Sequence, residues 1–296
     1  MNFWFTEQHT DNVEFSIRVD KHIFSEENDH NRIDIYESPE YGRVLTADGY
    51  IVMTEKDEFI YHEMMTHIPM AVHPNPQKIL VFGAGDGGVV RELLKYPEVE
   101  RIDMVEVNVG VVEAAKKYLP FSASGLDDPK VTIYSQNALR FVRHIVGEYD
   151  VIIVDSAGFY GPGESLLSLE FYGSCYKALK DDGIMVNQHQ SPFYDEDRVE
   201  TQRAHKRIIN SFPISRVYQA HIPSYPSGYW LFGFASKKYH PVEDIDSVKW
   251  NARGIQTRYY TTNLHRGCFA LPAYVEHMLE KVEDNNNMKS DSVGLL

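Results

Sequence analysis

Residues 78–106 read KILVFGAGDGGVVRELLKYPEVERIDMVE, and the fold follows from them. The apolar run Lys78 to Phe82 feeds directly into Gly83-Ala84-Gly85-Asp86-Gly87-Gly88, which satisfies G-x-G-x-x-G and leads into a helical stretch, Gly87 to Lys95. A second apolar run, Arg101 to Glu106, ends on an acid eighteen residues past Gly88. In a strand–loop–helix–strand unit the glycines let the backbone approach a ligand, and an acid at this spacing takes the ribose hydroxyls of a nucleotide or nucleoside. Gly83, Gly85 and Glu106 are therefore candidate binding residues, with the ligand outside the carboxyl ends of the strands. A turn that merely packs helix on strand would not need the acid downstream.

Beyond this unit, apolar runs keep alternating with helical stretches: Val131 to Tyr134 with Ala138 to Val146, and Val151 to Val154 with Leu167 to Leu179. Ile184 to Gln188, Ser215 to Ala220 and Tyr229 to Phe234 supply further strands. Such alternation predicts an α/β fold, a Rossmann-like doubly wound parallel sheet. Upstream the pattern differs. Val13 to Val19, Arg32 to Glu37, Arg43 to Leu45 and Tyr50 to Met53 are short runs broken by turn residues such as Ala47-Asp48-Gly49, which predicts a small antiparallel sheet. From Glu55 the period turns helical, with Phe59, Met64 and Ile68 on one face, until His73-Pro74-Asn75-Pro76 stops the helix. The expected division is an N-terminal β domain at 1–53, a Rossmann-like catalytic domain at 54–282 and a polar, aperiodic, flexible tail at 283–296.

Charge and cysteine content narrow the function classes. With 43 acidic against 29 basic residues the formal charge is −14, so phosphate backbones are repelled and nucleic acid is not an expected partner. A cationic ligand is favoured if the acids converge on a cleft. Cys175 and Cys268 form no C-x-x-C pair, which argues against a disulfide framework or a structural zinc site. His144, His189, His221 and His265 lack metal-ligand spacing, so no metal is expected. No stretch approaches the roughly 18 apolar residues of a membrane helix. The N-terminus has no basic segment followed by an apolar run, and the expectation is a soluble cytoplasmic protein without a membrane partner.

The same loop geometry serves dinucleotides and S-adenosylmethionine, and Asp86 separates them. A carboxylate inside the glycine loop repels a pyrophosphate at the helix N-terminus but suits a ligand with an ammonium tail and a sulfonium centre. Methyltransferases of this fold type usually carry an acid two residues before the first loop glycine, where this chain has Val81. With the acid moved to Asp86, the tail is expected to be an amine without an adjacent carboxylate. Decarboxylated S-adenosylmethionine is the simplest such donor.

Trp4-Phe5-Thr6-Glu7, Thr54-Glu55-Lys56-Asp57-Glu58-Phe59 with Tyr61-His62-Glu63-Met64, Gly83 to Gly88, Gly161-Pro162-Gly163-Glu164-Ser165, Tyr225-Pro226-Ser227-Gly228 and Phe269-Ala270-Leu271-Pro272 occur in this order. Together they make the chain resemble the spermidine synthases, the polyamine aminopropyltransferases. The resemblance implies a small β domain before a sheet of the S-adenosylmethionine-dependent methyltransferase type, in a homodimer or homotetramer. The implied reaction moves an aminopropyl group from decarboxylated S-adenosylmethionine, a co-substrate rather than a cofactor, to an amine acceptor and releases 5′-methylthioadenosine. It implies Glu106 on the donor ribose, Asn137 near the adenine amino group, and Asp86, His62 and Asn31 at the aminopropyl tail. Tyr61, Gln188 and Tyr225 would line the acceptor channel, and Asp155 would accept the amine's proton. Without the resemblance, His62 reads as a core histidine and Asp155 as a strand-end cap.

The chain departs from the family at the catalytic turn. Where the family has Asp-Ser-x-Asp-Pro, this sequence has Asp155-Ser156-Ala157-Gly158-Phe159, and Asn108 stands where an Asp is common after Glu106. The missing second acid leaves the acceptor open between putrescine, agmatine and a longer polyamine. Intact S-adenosylmethionine as donor, with 3-amino-3-carboxypropyl transfer, and a non-catalytic nucleoside-binding paralogue are the alternatives.

Overall fold

The computed structural model describes residues 3–155 and 168–283. The chain starts with a two-stranded antiparallel hairpin, β1 (Phe3–Thr10) and β2 (Val13–Val19). A four-stranded antiparallel meander follows: β3 (Lys21–Glu27), β4 (Arg32–Ser38), β5 (Gly42–Ala47) and β6 (Tyr50–Thr54). Asp48 and Gly49, both at positive φ, form the two-residue turn between β5 and β6, matching the twist of the strands they join. The N-terminal segment thus holds six strands in two sheets, where the apolar pattern predicts four runs in one. β3 escapes the pattern because it is largely solvent-washed and polar, and β1 because it buries an acid, Glu7, at an inward position.

Helix α1 (Glu58–Val72) is buried along nearly its whole length and packs against the large sheet. Next come β7 (Lys78–Gly83), α2 (Gly88–Leu93), β8 (Arg101–Val105), α3 (Val109–Tyr118), α4 (Pro120–Ala123), β9 (Val131–Tyr134), α5 (Ala138–Val142) and β10 (Tyr149–Asp155). From residue 168 on, the chain forms α6 (Leu169–Ala178), β11 (Leu179–Gln188), α7 (Asp195–Ile209), β12 (Ile214–His221), β13 (Tyr229–Ser236), α8 (Ser247–Ala252), α9 (Thr262–Gly267) and α10 (Ala273–Glu283). Gly158 and the rest of 156–167 lie outside the described residues. So does the expected tail, apart from Glu283, which ends α10.

The large sheet has the order β12-β13-β11-β10-β7-β8-β9. Its core is parallel, as the alternation predicts, but the sheet as a whole is mixed: β13 runs antiparallel to both β11 and β12. The cause is local, because β12 and β13 are joined by the short 222–228 turn, and a turn of that length can only return the chain beside itself. β7 is buried on both faces, with Ile79, Leu80, Val81 and Phe82 fully inaccessible, each worth about 1.5–3 kcal/mol of hydrophobic stabilisation. From β7 the chain steps outward to β8 and β9, then returns to the other side of β7 as β10. This reversal opens a crevice at the carboxyl ends of β7 and β10. The register pairs Asp155 with Gly83, so the end of β10 and the start of the glycine loop are neighbours.

Candidate active site

A cavity of about 580 Å³ opens at these strand ends, between the large sheet and the N-terminal meander. Asn31, Tyr61, His62, Gly83, Gly85, Asp86, Glu106, Asn137, Asp155, Gln188 and Tyr225 all line it. The glycine loop carries a strained residue, Ala84, at φ 62°, held by its N–H donating to the Asp155 carbonyl (3.1 Å) and its carbonyl accepting from Gly87 N (2.9 Å). Gly85 and Gly88 are among the loop glycines required by close approach. A Cβ on Gly85 would lie 2.7 Å from Val111 Cγ1 and 3.3 Å from Glu106 Oε2, and a Cβ on Gly88 would overlap the His62 ring.

Asp86 Oδ1 accepts from Gly88 N (2.8 Å) and Ser122 Oγ (3.1 Å) and faces His62 Nε2 at 3.1 Å. Among the described residues Oδ2 receives no donor. The other imidazole nitrogen, His62 Nδ1, meets Glu58 Oε2 at 2.5 Å, and Arg91 grips Glu58 with Nη1 and Nη2, both at 2.9 Å. Arg91, Glu58, His62 and Asp86 thus alternate in charge through the buried base of the site. Burial would lower the His62 pKa, but the two carboxylates outweigh it and hold the ring up at about 10. Burial would likewise raise Asp86, but the imidazolium and the hydrogen bonds on Oδ1 bring it down to about 2. His62 is buried, but as an ion-paired group rather than as a mere core side chain.

Asp155 has the opposite surroundings. Tyr61 Oη donates to its Oδ1 at 2.7 Å, while Oδ2 is buried with no partner among the described residues. Burial, then the charge on Asp86, push its carboxyl up to about 7 against the pull of His62 and Tyr61. Its backbone, through Ala84 N, braces the glycine loop. His62, Asp86 and Asp155 offer atoms within 4.8 Å of one another, close enough to surround a cation. Both nitrogens of the charged imidazole are spent on carboxylates, so the set suits an organic cation between the two aspartates rather than a metal ion.

Glu106 follows β8 and lines the same cavity. Burial pushes its carboxyl up to about 7 although Asn108 N donates to Oε1 at 2.8 Å. Asn108, one of the departures from the family pattern, ties two elements together: its Oδ1 accepts from Gly110 N (3.0 Å), capping α3, and from Asn28 Nδ2 (3.0 Å), while its Nδ2 donates to Asn31 Oδ1 (2.6 Å). Asn31 is thereby fastened to the Glu106 turn. Asn137 caps α5, its Oδ1 accepting from Arg140 N at 3.1 Å.

Tyr225 Oη donates to the Val52 carbonyl at 2.6 Å, so Tyr225 offers the cavity its ring, which stands against Tyr61 and edge-on to Trp230. Asp57, buried before α1, fixes the Tyr225 turn by accepting from Ser224 N (2.8 Å) and Ser224 Oγ (2.9 Å). Gln188 ends β11 on the same wall. Sequence reasoning misses Glu58, Arg91, Ser122 and Asp57. Only Glu58 has a local signal, four residues before His62 on one helix.

The glycine loop after β7, the acid after β8 and a seven-stranded sheet with one reversed strand define a protein of the S-adenosylmethionine-methyltransferase-like fold. Comparison with known proteins is specific. Residues 58–246 match the spermine/spermidine synthase domain, and residues 3–55 the spermidine synthase tetramerisation domain. A polyamine aminopropyltransferase of Alkaliphilus oremlandii is 59% identical over 96% of this chain and 100% of its own, and one of Clostridium beijerinckii 56% over the same shares. The crystal structure of a spermidine synthase in complex with the transition-state analogue AdoDATO superposes with a TM-score of 0.92, at 43% identity over 94% of this chain and 95% of that one. The chain belongs to the spermidine synthase, or polyamine aminopropyltransferase, family.

Proposed function

We propose that the protein transfers the aminopropyl group of decarboxylated S-adenosylmethionine to an amine, with putrescine as acceptor and spermidine and 5′-methylthioadenosine as products. Aminopropyl transfer as such is the activity of its family. The observation that carries the finer reading is the pair of unlike carboxylates across the β7–β10 crevice. Asp86 is ionised and has Oδ2 for the ammonium of the aminopropyl tail. A carboxylate on that tail would meet Asp86, and the nearby cations His62 and Arg91 are already paired. Intact S-adenosylmethionine is disfavoured for this reason.

Asp155, close to half-protonated near neutral pH, takes the acceptor's proton on Oδ2 and holds the neutral amine in line with the methylene beside the sulfonium. The new C–N bond forms as the C–S bond breaks, and the sulfur leaves with that electron pair as the neutral thioether. Glu106 holds the ribose and Asn137 the adenine edge, with Asn31 supporting Glu106 through Asn108. Tyr61, Gln188 and Tyr225 flank the acceptor chain. The match of residues 3–55 to a tetramerisation domain supports a homo-oligomer, in which the exposed Phe3 and Trp4 of β1 would be covered. Residues 1–53 then serve assembly and 54–282 catalysis. Among the described residues no helix is long and apolar enough to cross a membrane. The cytoplasm fits the two buried, unbridged cysteines.

The test is methylthioadenosine release from decarboxylated S-adenosylmethionine with putrescine, cadaverine, agmatine, 1,3-diaminopropane or spermidine, beside an Asp155→Asn control. Turnover with putrescine that vanishes in the control is expected. No turnover with any amine, or faster turnover with intact S-adenosylmethionine, overturns the reading.

A further inference from the structure

The cavity continues past the two aspartates to a far end built from Glu7, His9, Tyr50, Glu196 and Asp197. Tyr225 and Glu7 lie in succession along it, since Tyr225 Oη bonds the Val52 carbonyl and Glu7 Oε2 accepts from Ile51 N at 2.8 Å, adjacent residues of β6. After burial, the carboxylates that raise the Tyr225 phenol are Asp155, Asp57, Asp86 and Glu7, so this ring stands in the field of both ends. Beyond Glu7 comes His9, whose Nδ1 meets Glu7 Oε1 at 3.3 Å and whose Nε2 meets Asp197 Oδ2 at 3.1 Å. Its ring lies against Tyr194, and its side chain is only 8% exposed. Burial opposes the charge, but bonds to Asp197 and Glu7 hold the imidazole up at about 9, charged at neutral pH.

Resting on the aminopropyl-transfer reading above, we propose that His9 sets the length of the acceptor: clamped between Glu7 and Asp197, it is a resident cation at the far end of the cavity. Glu7 and Asp197 with one imidazolium leave a single buried negative charge, enough for one distal ammonium, while Glu196, the third carboxylate of this end, is exposed. A diamine anchored at Asp155 places that ammonium toward Glu7. A triamine would carry a further ammonium into the imidazolium, and like charges brought together in a partly dry site repel strongly. Discrimination thus comes from a built-in repulsive element as well as from attraction. This arrangement belongs to β1 and α7, and it supplies a negative charge for the acceptor that the sequence lacks at Gly158.

The test compares kcat/KM for spermidine and for putrescine in wild type, His9→Gln, His9→Asn and His9→Lys, each checked for folding by thermal melting. In His9→Gln the spermidine-to-putrescine ratio is expected to rise about tenfold or more, the equivalent of about 1.4 kcal/mol. His9→Lys, which keeps the charge, retains the wild-type preference. His9→Asn, which likewise removes the charge, raises the ratio as well and decides the matter if His9→Gln does not fold. An unchanged ratio in folded His9→Gln or folded His9→Asn, a ratio that rises in His9→Lys, or a wild-type preference for spermidine overturns the proposal. Failure of wild type to release methylthioadenosine with any amine would instead sink the aminopropyl-transfer reading on which it rests.

Discussion

Asp86 and Asp155 stand on adjacent strand ends, yet Asp86 Oδ1 faces three donors, from Gly88, Ser122 and His62, whereas Asp155 accepts from Tyr61 and keeps Oδ2 buried without a partner among the described residues. One is held at about 2 and the other at about 7. Two carboxylates whose surroundings push their pKa values apart are suited to different tasks. In the proposed reaction the donor half is settled before a ligand arrives, its charge balanced by the Arg91–Glu58–His62 relay. The acceptor half is settled only by the ligand, because an amine is what Oδ2 lacks.

The sharpest way to break this contrast is Asp155→Asn. It removes the proton acceptor, and kcat should fall by about 10²- to 10⁴-fold, read as methylthioadenosine release. Asp86→Asn should behave differently, as a stability defect. It leaves the His62 imidazolium buried with half its compensation, and breaking such a pair costs about 3–5 kcal/mol, measurable by urea unfolding. Gly88→Ala tests the packing beneath the relay. Its Cβ would press the His62 ring away from Asp86, and overpacking of this kind costs about 1–3 kcal/mol, seen as a lower Tm.

A pH series sharpens the contrast without a mutation. Burial raises Asp155 and Glu106 to about 7 in the folded protein, above their unfolded values, so between about pH 4 and 7 the folded state holds protons that the unfolded chain has released. Their contribution to stability is therefore greatest at the acid end of that window and is lost as pH rises through it. Asp155→Asn should flatten the decline in Tm across this range. Asp86, with its lowered value, contributes above about pH 4, and its contribution is lost only as pH falls toward 2. The smallest expected effect is that of Tyr225→Phe, which forfeits one hydrogen bond to the Val52 carbonyl, about 0.5–1.5 kcal/mol by thermal melting, while keeping the ring in the channel.

The donor half is also the more legible in the sequence. Its glycine loop, Asp86 and Glu106 fall within one strand–helix–strand unit, where spacing alone fixes the geometry. The parallel core of the sheet is readable from alternation for the same reason. The reversed β13 is not, since an apolar run such as Tyr229 to Phe234 carries no direction. The supports of the acceptor half join distant parts of the chain, as Asp57 does with Ser224, and no local pattern announces such a contact. Asn108 is visible in the sequence as a departure, but its role as a clasp between the meander and the Glu106 turn needs the fold to bring Asn28 and Asn31 beside it. Glu7 belongs to a recognisable motif, yet nothing in that motif marks it as a buried carboxylate.

The contrast is tested most directly by measuring donor affinity by calorimetry and turnover on the same preparations of wild type, Asp155→Asn and Asp86→Asn. Asp155→Asn should bind decarboxylated S-adenosylmethionine within about threefold of wild type, a difference below about 1 kcal/mol, while failing to turn it over. Asp86→Asn should lose donor affinity itself. Donor binding abolished in Asp155→Asn, or turnover retained in it, would contradict the division of labour between the two aspartates.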